Sequence, residues 1–142
     1  MNLGFIYAIG TAVIWGLTYT IDQKILTSLS PAMILFTNSV IASLIMLPFM
    51  FFGDSSIKTF IVYSKANLLI VSLSIILPII ANILLLTSIK SLGAATASVI
   101  EIAYPFFVVI FSIIFFKISP SLSFYIGGLL IFSGASIIAY FY

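Results

Sequence analysis

Residues 94–116 read AATASVIEIAYPFFVVIFSIIFF, an apolar run with a single charge, Glu101. A hydrocarbon layer about 30 Å thick is crossed by roughly 20 such residues in a helix. The run is too long for a membrane strand and its apolar residues do not alternate, so it reads as a transmembrane helix. Four other stretches have the same character: 3–21, 31–52, 67–89 and 123–142. The breaks between them hold nearly all the charge. Asp22, Gln23 and Lys24 close the first span, and Ser30-Pro31 opens the second, as a serine before a proline does at a helix start. Gly53-Asp54-Ser55-Ser56 through Lys65 forms the longest polar connection. Lys90-Ser91-Leu92-Gly93 makes a tight turn, and Lys117 through Ser121 separates the last two spans.

Composition agrees. The chain is 63% hydrophobic and 6% charged, and its mean hydropathy is +1.40. A water-soluble domain of this size needs far more charge on its surface. The expected fold is an all-α membrane protein, one domain over 1–142, built as a bundle of five transmembrane helices. Five scattered lysines and three acids make no basic patch, so nucleic acid is not an expected partner. Cysteine and histidine are both absent, which removes disulfides, thiolate sites and imidazole metal sites. No cofactor is expected. An enzyme is not expected either, because the chain has no histidine, cysteine, paired carboxylates or phosphate loop. The first span lacks a basic leader and is long for a signal peptide, so it is read as a retained helix. Tyr140-Phe141-Tyr142 fit an aromatic anchor at the membrane surface, and no tail domain is expected.

Five crossings put the termini on opposite sides. Lys58, Lys65 and Lys117 then share the side of the N-terminus, and Lys24 and Lys90 the other. Three lysines against two is a small bias for an inside N-terminus. A near-balance of this kind also permits insertion both ways up, and hence an antiparallel homodimer.

Close helix packing in lipid uses small residues four apart. Gly4, Ala8, Ala12 and Gly16 form such a stripe on the first span, and Gly127-Gly128 and Gly134-Ala135 suit tight contact on the last. Beside the first stripe, Tyr7, Thr11, Trp15, Tyr19 and Asp22 follow one another at helical spacing. Trp15 and Tyr19 are therefore candidates to line a solute path. Pro78 is expected to kink the third span, with Asn82 one turn later on the same face, and Asn38 lies within the second span. Both asparagines are candidate solute ligands, although buried amides also simply bond helix to helix. Glu101 is the most informative residue. It sits about 10 Å into its span, too deep for a short carboxylate to reach the headgroups easily. Charges at that depth cost several kcal/mol and normally face a protein interior or a water-filled cavity. Ala97, Glu101, Tyr104, Pro105 and Ser112 share one face, and no lysine lies within the spans to pair with the carboxylate. Such a group can exchange a proton for a cationic or polar solute. The plainer reading is a glutamate that only bonds between helices, to Asn38 or Asn82 for instance.

The run from Gly93 to Pro105, with Phe106–Phe116 after it, resembles the fourth helix of EamA-type transporters of the drug/metabolite transporter superfamily. Trp15-Gly16, Ser30-Pro31 and Gly127-Gly128 through Gly134 fall where that resemblance wants them, and it extends from about Leu3 to Ala139. The best single piece is Glu101, Tyr104 and Pro105. The resemblance implies a small-solute transporter, and most members carry two five-helix units as an inverted repeat. This sequence holds one, so it would be half of such a transporter and would pair, most simply with an inverted copy of itself, as the related small multidrug resistance proteins do. The solute site would lie near the midplane between the units. Glu101 would be the coupling residue, with Trp15, Tyr19, Asn38, Asn82 and Tyr104 lining the site. The expected place is the plasma membrane of a prokaryotic cell. One departure is Lys117, where many members have an acid just after this helix. The rival readings are a half-transporter needing a different partner chain, and a non-transporting subunit of a larger membrane complex.

Overall fold

The structure, a computed structural model, describes residues 3–52, 57–117 and 120–141. Among these the regular structure is entirely helical. The helices are α1 (Leu3–Ile25), α2 (Pro31–Met46), α3 (Phe49–Phe52), α4 (Ile57–Ala66), α5 (Leu68–Leu92), α6 (Ala94–Glu101), α7 (Tyr104–Phe116) and α8 (Leu122–Phe141). Residues 68–92, 94–116 and 122–141 are each long and apolar enough to cross a membrane, and Pro31–Met46 is a shorter apolar helix. The exposure pattern suits lipid as the solvent. Leu69, Phe115 and Phe116 are each more than 70% exposed, which would be costly in water and is ordinary against hydrocarbon chains. The protein is an all-α membrane protein.

Helix boundaries depart from the hydropathy pattern for local reasons. α1 continues four residues past the expected Ile21 and α5 three past Ile89, because Asp22, Gln23, Lys24 and Lys90 end the apolar stretch without ending the backbone ladder. α5 stops where Gly93 takes φ +82, a left-handed conformation that glycine adopts without steric cost, while its N–H still bonds the Ile89 carbonyl at 2.9 Å. The second expected span, 31–52, is divided at Leu47-Pro48, since Pro48 offers no N–H to continue the ladder. α2 itself begins as expected. The Ser30 hydroxyl accepts from the Met33 N–H at 3.2 Å, and Pro31 occupies the first turn, where its missing donor costs nothing. α5 runs unbroken through Pro78. The polar connection expected over 53–65 contains α4; its first part, Gly53–Ser56, lies outside the described residues, as do Ile118, Ser119 and Tyr142.

Two compact units are distinguished: Met1–Thr27 with Ser88–Tyr142, and Ser28–Thr87. In the first, α1 packs on α6, and α8 packs on both α6 and α7. The packed residues are mostly small, Ala94 and Ala97 on α6 and Gly128 and Ala135 on α8, with Val109 from α7. Leu26 and Ile89 are the most deeply buried side chains of this unit, each 1% exposed. The small stripe expected on α1 does not make its contacts: Gly4, Ala8, Ala12 and Gly16 are exposed, and a Cβ at Gly16 would meet open space. Gly127 and Gly134 likewise have room for a Cβ. In the second unit, α2 and α3 lie against each other across the Pro48 break.

Gly93 is the glycine whose backbone needs it. A Cβ there would sit 3.6 Å from Gln23 Oε1, an ordinary contact, so only the left-handed φ resists substitution. Gly93→Ala is expected to cost about 1 kcal/mol and lower the melting temperature in detergent. Gly10→Ala, inside α1 and against open space, should not lower it. Equal melting of the two variants would remove the special status of Gly93.

Candidate functional site

Pro105 builds the site. In an unbroken helix its N–H would bond the carbonyl four residues back, that of Glu101; proline has no such donor, and its ring would collide with that carbonyl. The helix expected over 94–116 therefore breaks, α6 ending at Glu101 and α7 starting at Tyr104. The chain turns tightly between them, the Ile102 N–H bonding the Ser98 carbonyl at 2.9 Å and the Ala103 N–H the Ile100 carbonyl at 3.2 Å. Glu101 thus projects from the last turn of α6 at a discontinuity within a membrane-spanning segment. A helix C-terminus carries partial negative charge and unfilled carbonyls. That is a poor place for a lone anion and a good one for a cation or proton shared with the carboxylate.

The carboxylate has a partner. Tyr19, from α1, donates its hydroxyl to Glu101 Oε2 at 3.1 Å. Both side chains are half-buried. Trp15 lies one turn back on α1 with its ring centroid 5.4 Å from that of Tyr19 and the planes tilted by 43°, and it is 47% exposed. Trp15, Tyr19 and Glu101 therefore form one continuous aromatic and acidic surface. Next to it is a shallow groove of about 250 Å³ between α1 and α6, lined by Gly16, Tyr19, Thr20 and Gln23 on one side and Ala94, Ala95 and Ser98 on the other. The small residues of both helices leave this groove open. The hydroxyls of Thr20 and Ser98 are occupied locally, donating to the Gly16 and Ala95 carbonyls at 2.9 Å.

A second residue of α1, which the sequence reading took only as the end of a span, holds the other end of α6. Gln23 Oε1 accepts the N–H of Ala94, the first residue of α6, at 2.6 Å. That N–H has no partner within the helix, and Gly93 offers no side chain to cap it. Gln23 also lines a second cleft, of about 320 Å³, with Leu26, Thr27, Ile89, Lys90 and Gly93. α1 and α6 thus run antiparallel and are joined at two points, Gln23 to Ala94 and Tyr19 to Glu101. One turn of α1 separates Tyr19 from Gln23, so both reach the same neighbour.

The remaining candidates are placed as follows. Tyr104 opens α7 and is 58% exposed. Asn38 and Asn82 belong to the unit Ser28–Thr87. Asn38 is exposed, and the Asn82 side-chain amide donates to the Pro78 carbonyl of its own helix at 2.8 Å. Glu101 accepts from Tyr19; the plainer reading of the sequence names Asn38 or Asn82 as examples of such a partner. Lys117, the departure from the resembling family, caps α7 in a left-handed conformation with φ 53, its N–H on the Ile113 carbonyl at 3.1 Å. Its positive charge suits a helix C-terminus.

The family model described as the EamA-like transporter family matches residues 2–140. No curated protein and no solved structure matches the chain.

Removing the Gln23 cap tests the two-point attachment. Gln23→Ala is expected to speed amide exchange at Ala94 about fivefold, as loss of one hydrogen bond worth ~1 kcal/mol implies, while Ile100 within α6 keeps its protection. Unchanged exchange at Ala94 would show that Gln23 does not hold this helix end.

Proposed function

The chain belongs to the EamA-like transporter family, and from that premise we propose that it moves a small polar or amphiphilic solute by exchange against a proton or cation at Glu101. The observation that carries this reading is the broken helix: a carboxylate at the end of α6, hydrogen-bonded to Tyr19, at a proline-made discontinuity. Discontinuous helices with unsatisfied ends are where secondary transporters bind coupling ions and solutes. The solute is a metabolite or drug-like molecule. Trp15 and Tyr19 offer it a ring surface, and Tyr104 stands at the start of α7 where the segment resumes. Asn38 and Asn82 remain candidate solute ligands within the unit Ser28–Thr87.

Exchange follows from competition for one carboxylate. With a proton on Glu101, the group is neutral and the solute has left. With a cation or a cationic solute bound, the carboxylate is charged and compensated, and the proton has left. Neither loaded state carries an uncompensated charge in a dry environment, whereas the empty anionic state does, so empty return is disfavoured. The working form is a homodimer of inverted copies, which places two such units around a midplane site and allows alternating access by rocking. The membrane is the plasma membrane of a prokaryotic cell. No enzymatic step and no cofactor enters this scheme.

The test is uptake of a solute panel by vesicles holding the purified protein under an imposed pH gradient. Glu101→Gln is expected to abolish gradient-driven uptake. Tyr19→Phe should weaken it about tenfold, the worth of a hydrogen bond to a charged group. Glu101→Gln vesicles that transport with the wild-type pH profile would end the coupling role.

A further inference from the structure

The segment read from sequence as a polar connection holds a helix that the proposed transport cycle does not use. α4 has ten residues and α5, beginning after Asn67, has 25. At 1.5 Å per residue α5 alone measures roughly 37 Å, already more than the hydrocarbon thickness, so α4 cannot share its crossing. Its two aromatic side chains are nonetheless open: Phe60 is 57% exposed and Tyr63 55%. Such a surface suits neither bulk water nor the centre of a bilayer beside two lysines.

We propose that α4 is an interfacial helix, lying at the bilayer surface with Phe60 and Tyr63 toward the hydrocarbon and Lys58 and Lys65 bound to anionic phospholipid headgroups. The arrangement of residues carries this. Lys58 and Lys65 are seven apart and stand on nearly the same side of the helix. Phe60 follows Lys58 by two residues and Tyr63 precedes Lys65 by two, which puts each aromatic about 200° round from its lysine, on the opposite side. Both lysines are exposed, and the sequence from Ser55 to Ile100 contains no acid, so the positive charge is not offset along this stretch. Aromatic rings settle at the headgroup boundary, and lysines extend their stems to place the ammonium among phosphates. Attraction to acidic lipid supplies the remaining complementarity. The attachment to α5 is short and defined: the Asn67 N–H bonds the Tyr63 carbonyl at 2.9 Å, its side-chain amide bonds the same carbonyl at 3.1 Å, and its own carbonyl accepts from Val71 at 3.0 Å. α4 is therefore held within one turn of a membrane-crossing helix.

The chain has no cysteine, so single cysteines report position cleanly. Spin labels at Phe60→Cys, Ile61→Cys, Val62→Cys and Tyr63→Cys, in the full-length protein, keep both lysines. They are read for collisions with oxygen against a water-soluble nickel chelate, in vesicles of phosphatidylcholine alone and of phosphatidylcholine with phosphatidylglycerol. Positions 60 and 63 should favour oxygen and positions 61 and 62 the chelate, with a larger contrast in the acidic vesicles. Adding Lys58→Gln and Lys65→Gln should cut the acidic-lipid part of that contrast by about twentyfold to thirtyfold, each lysine at an anionic surface being worth roughly fivefold. Adding Lys58→Arg and Lys65→Arg should retain it. A label at Ile76→Cys within α5 must remain in hydrocarbon in every variant, which separates local release from misfolding. Equal chelate access at all four positions overturns the proposal. So does a contrast that ignores lipid charge and the lysine substitutions.

Discussion

A carboxylate inside hydrocarbon is costly, and the structure around Glu101 is organised by that cost. Pro105 ends the helix at Glu101, Tyr19 comes from another helix to share the charge, and Gln23 fixes the start of the same helix so that the distance can be kept. Remove the carboxylate and the tyrosine loses its partner. Remove the proline and Glu101 becomes one more side chain on a continuous helix. Tyr19 and Gln23 lie 82 and 71 residues from their partners Glu101 and Ala94, and they meet them only through the antiparallel contact of α1 with α6.

That contact is made by polar side chains at its two ends and by small residues between. Such a design leaves a groove along α1 and α6 where a tighter, glycine-packed interface would have closed it. α6 also packs on α8, with Ala97 and Ala135 buried, as expected where helices in lipid approach closely without a hydrophobic drive. α6 is therefore packed against α8 and held to α1 at two points, and Glu101 makes one of those points. In the proposed cycle a proton or solute arriving at Glu101 acts on that point directly.

Much of this was legible in the sequence, because lipid imposes simple rules. Apolar runs of about 20 residues pointed to the three helices long and apolar enough to cross a membrane, Ser30-Pro31 gave the start of α2, and one acid far from any lysine gave Glu101. The family resemblance read from Glu101, Tyr104 and Pro105 agrees with the match over residues 2–140. What hydropathy could not give was the state of the backbone ladder within a run. Pro48 and Pro105 both break a helix that hydropathy shows as continuous, whereas Pro78 does not, so proline marks candidate breaks without deciding among them. Asp22 through Lys24 show the converse, a polar stretch through which the helix goes on. The Gln23 bond to Ala94 spans 71 residues, and no local signal announces it. The glycines failed in a third way: spacing four apart shows that helices could approach there, without naming a neighbour that does.

The proposed transporter uses one such unit twice, with the second copy upside down. Lysines divided three against two leave the chain without a strong preference for either orientation. The most direct measurement is the location of both termini in cells, each tagged in turn and tested for access from either side of the membrane. Pairing of inverted copies predicts each terminus on both sides in comparable amounts. An N-terminus found on one side only would contradict it, and the Glu101 site would then have to be completed by a different chain.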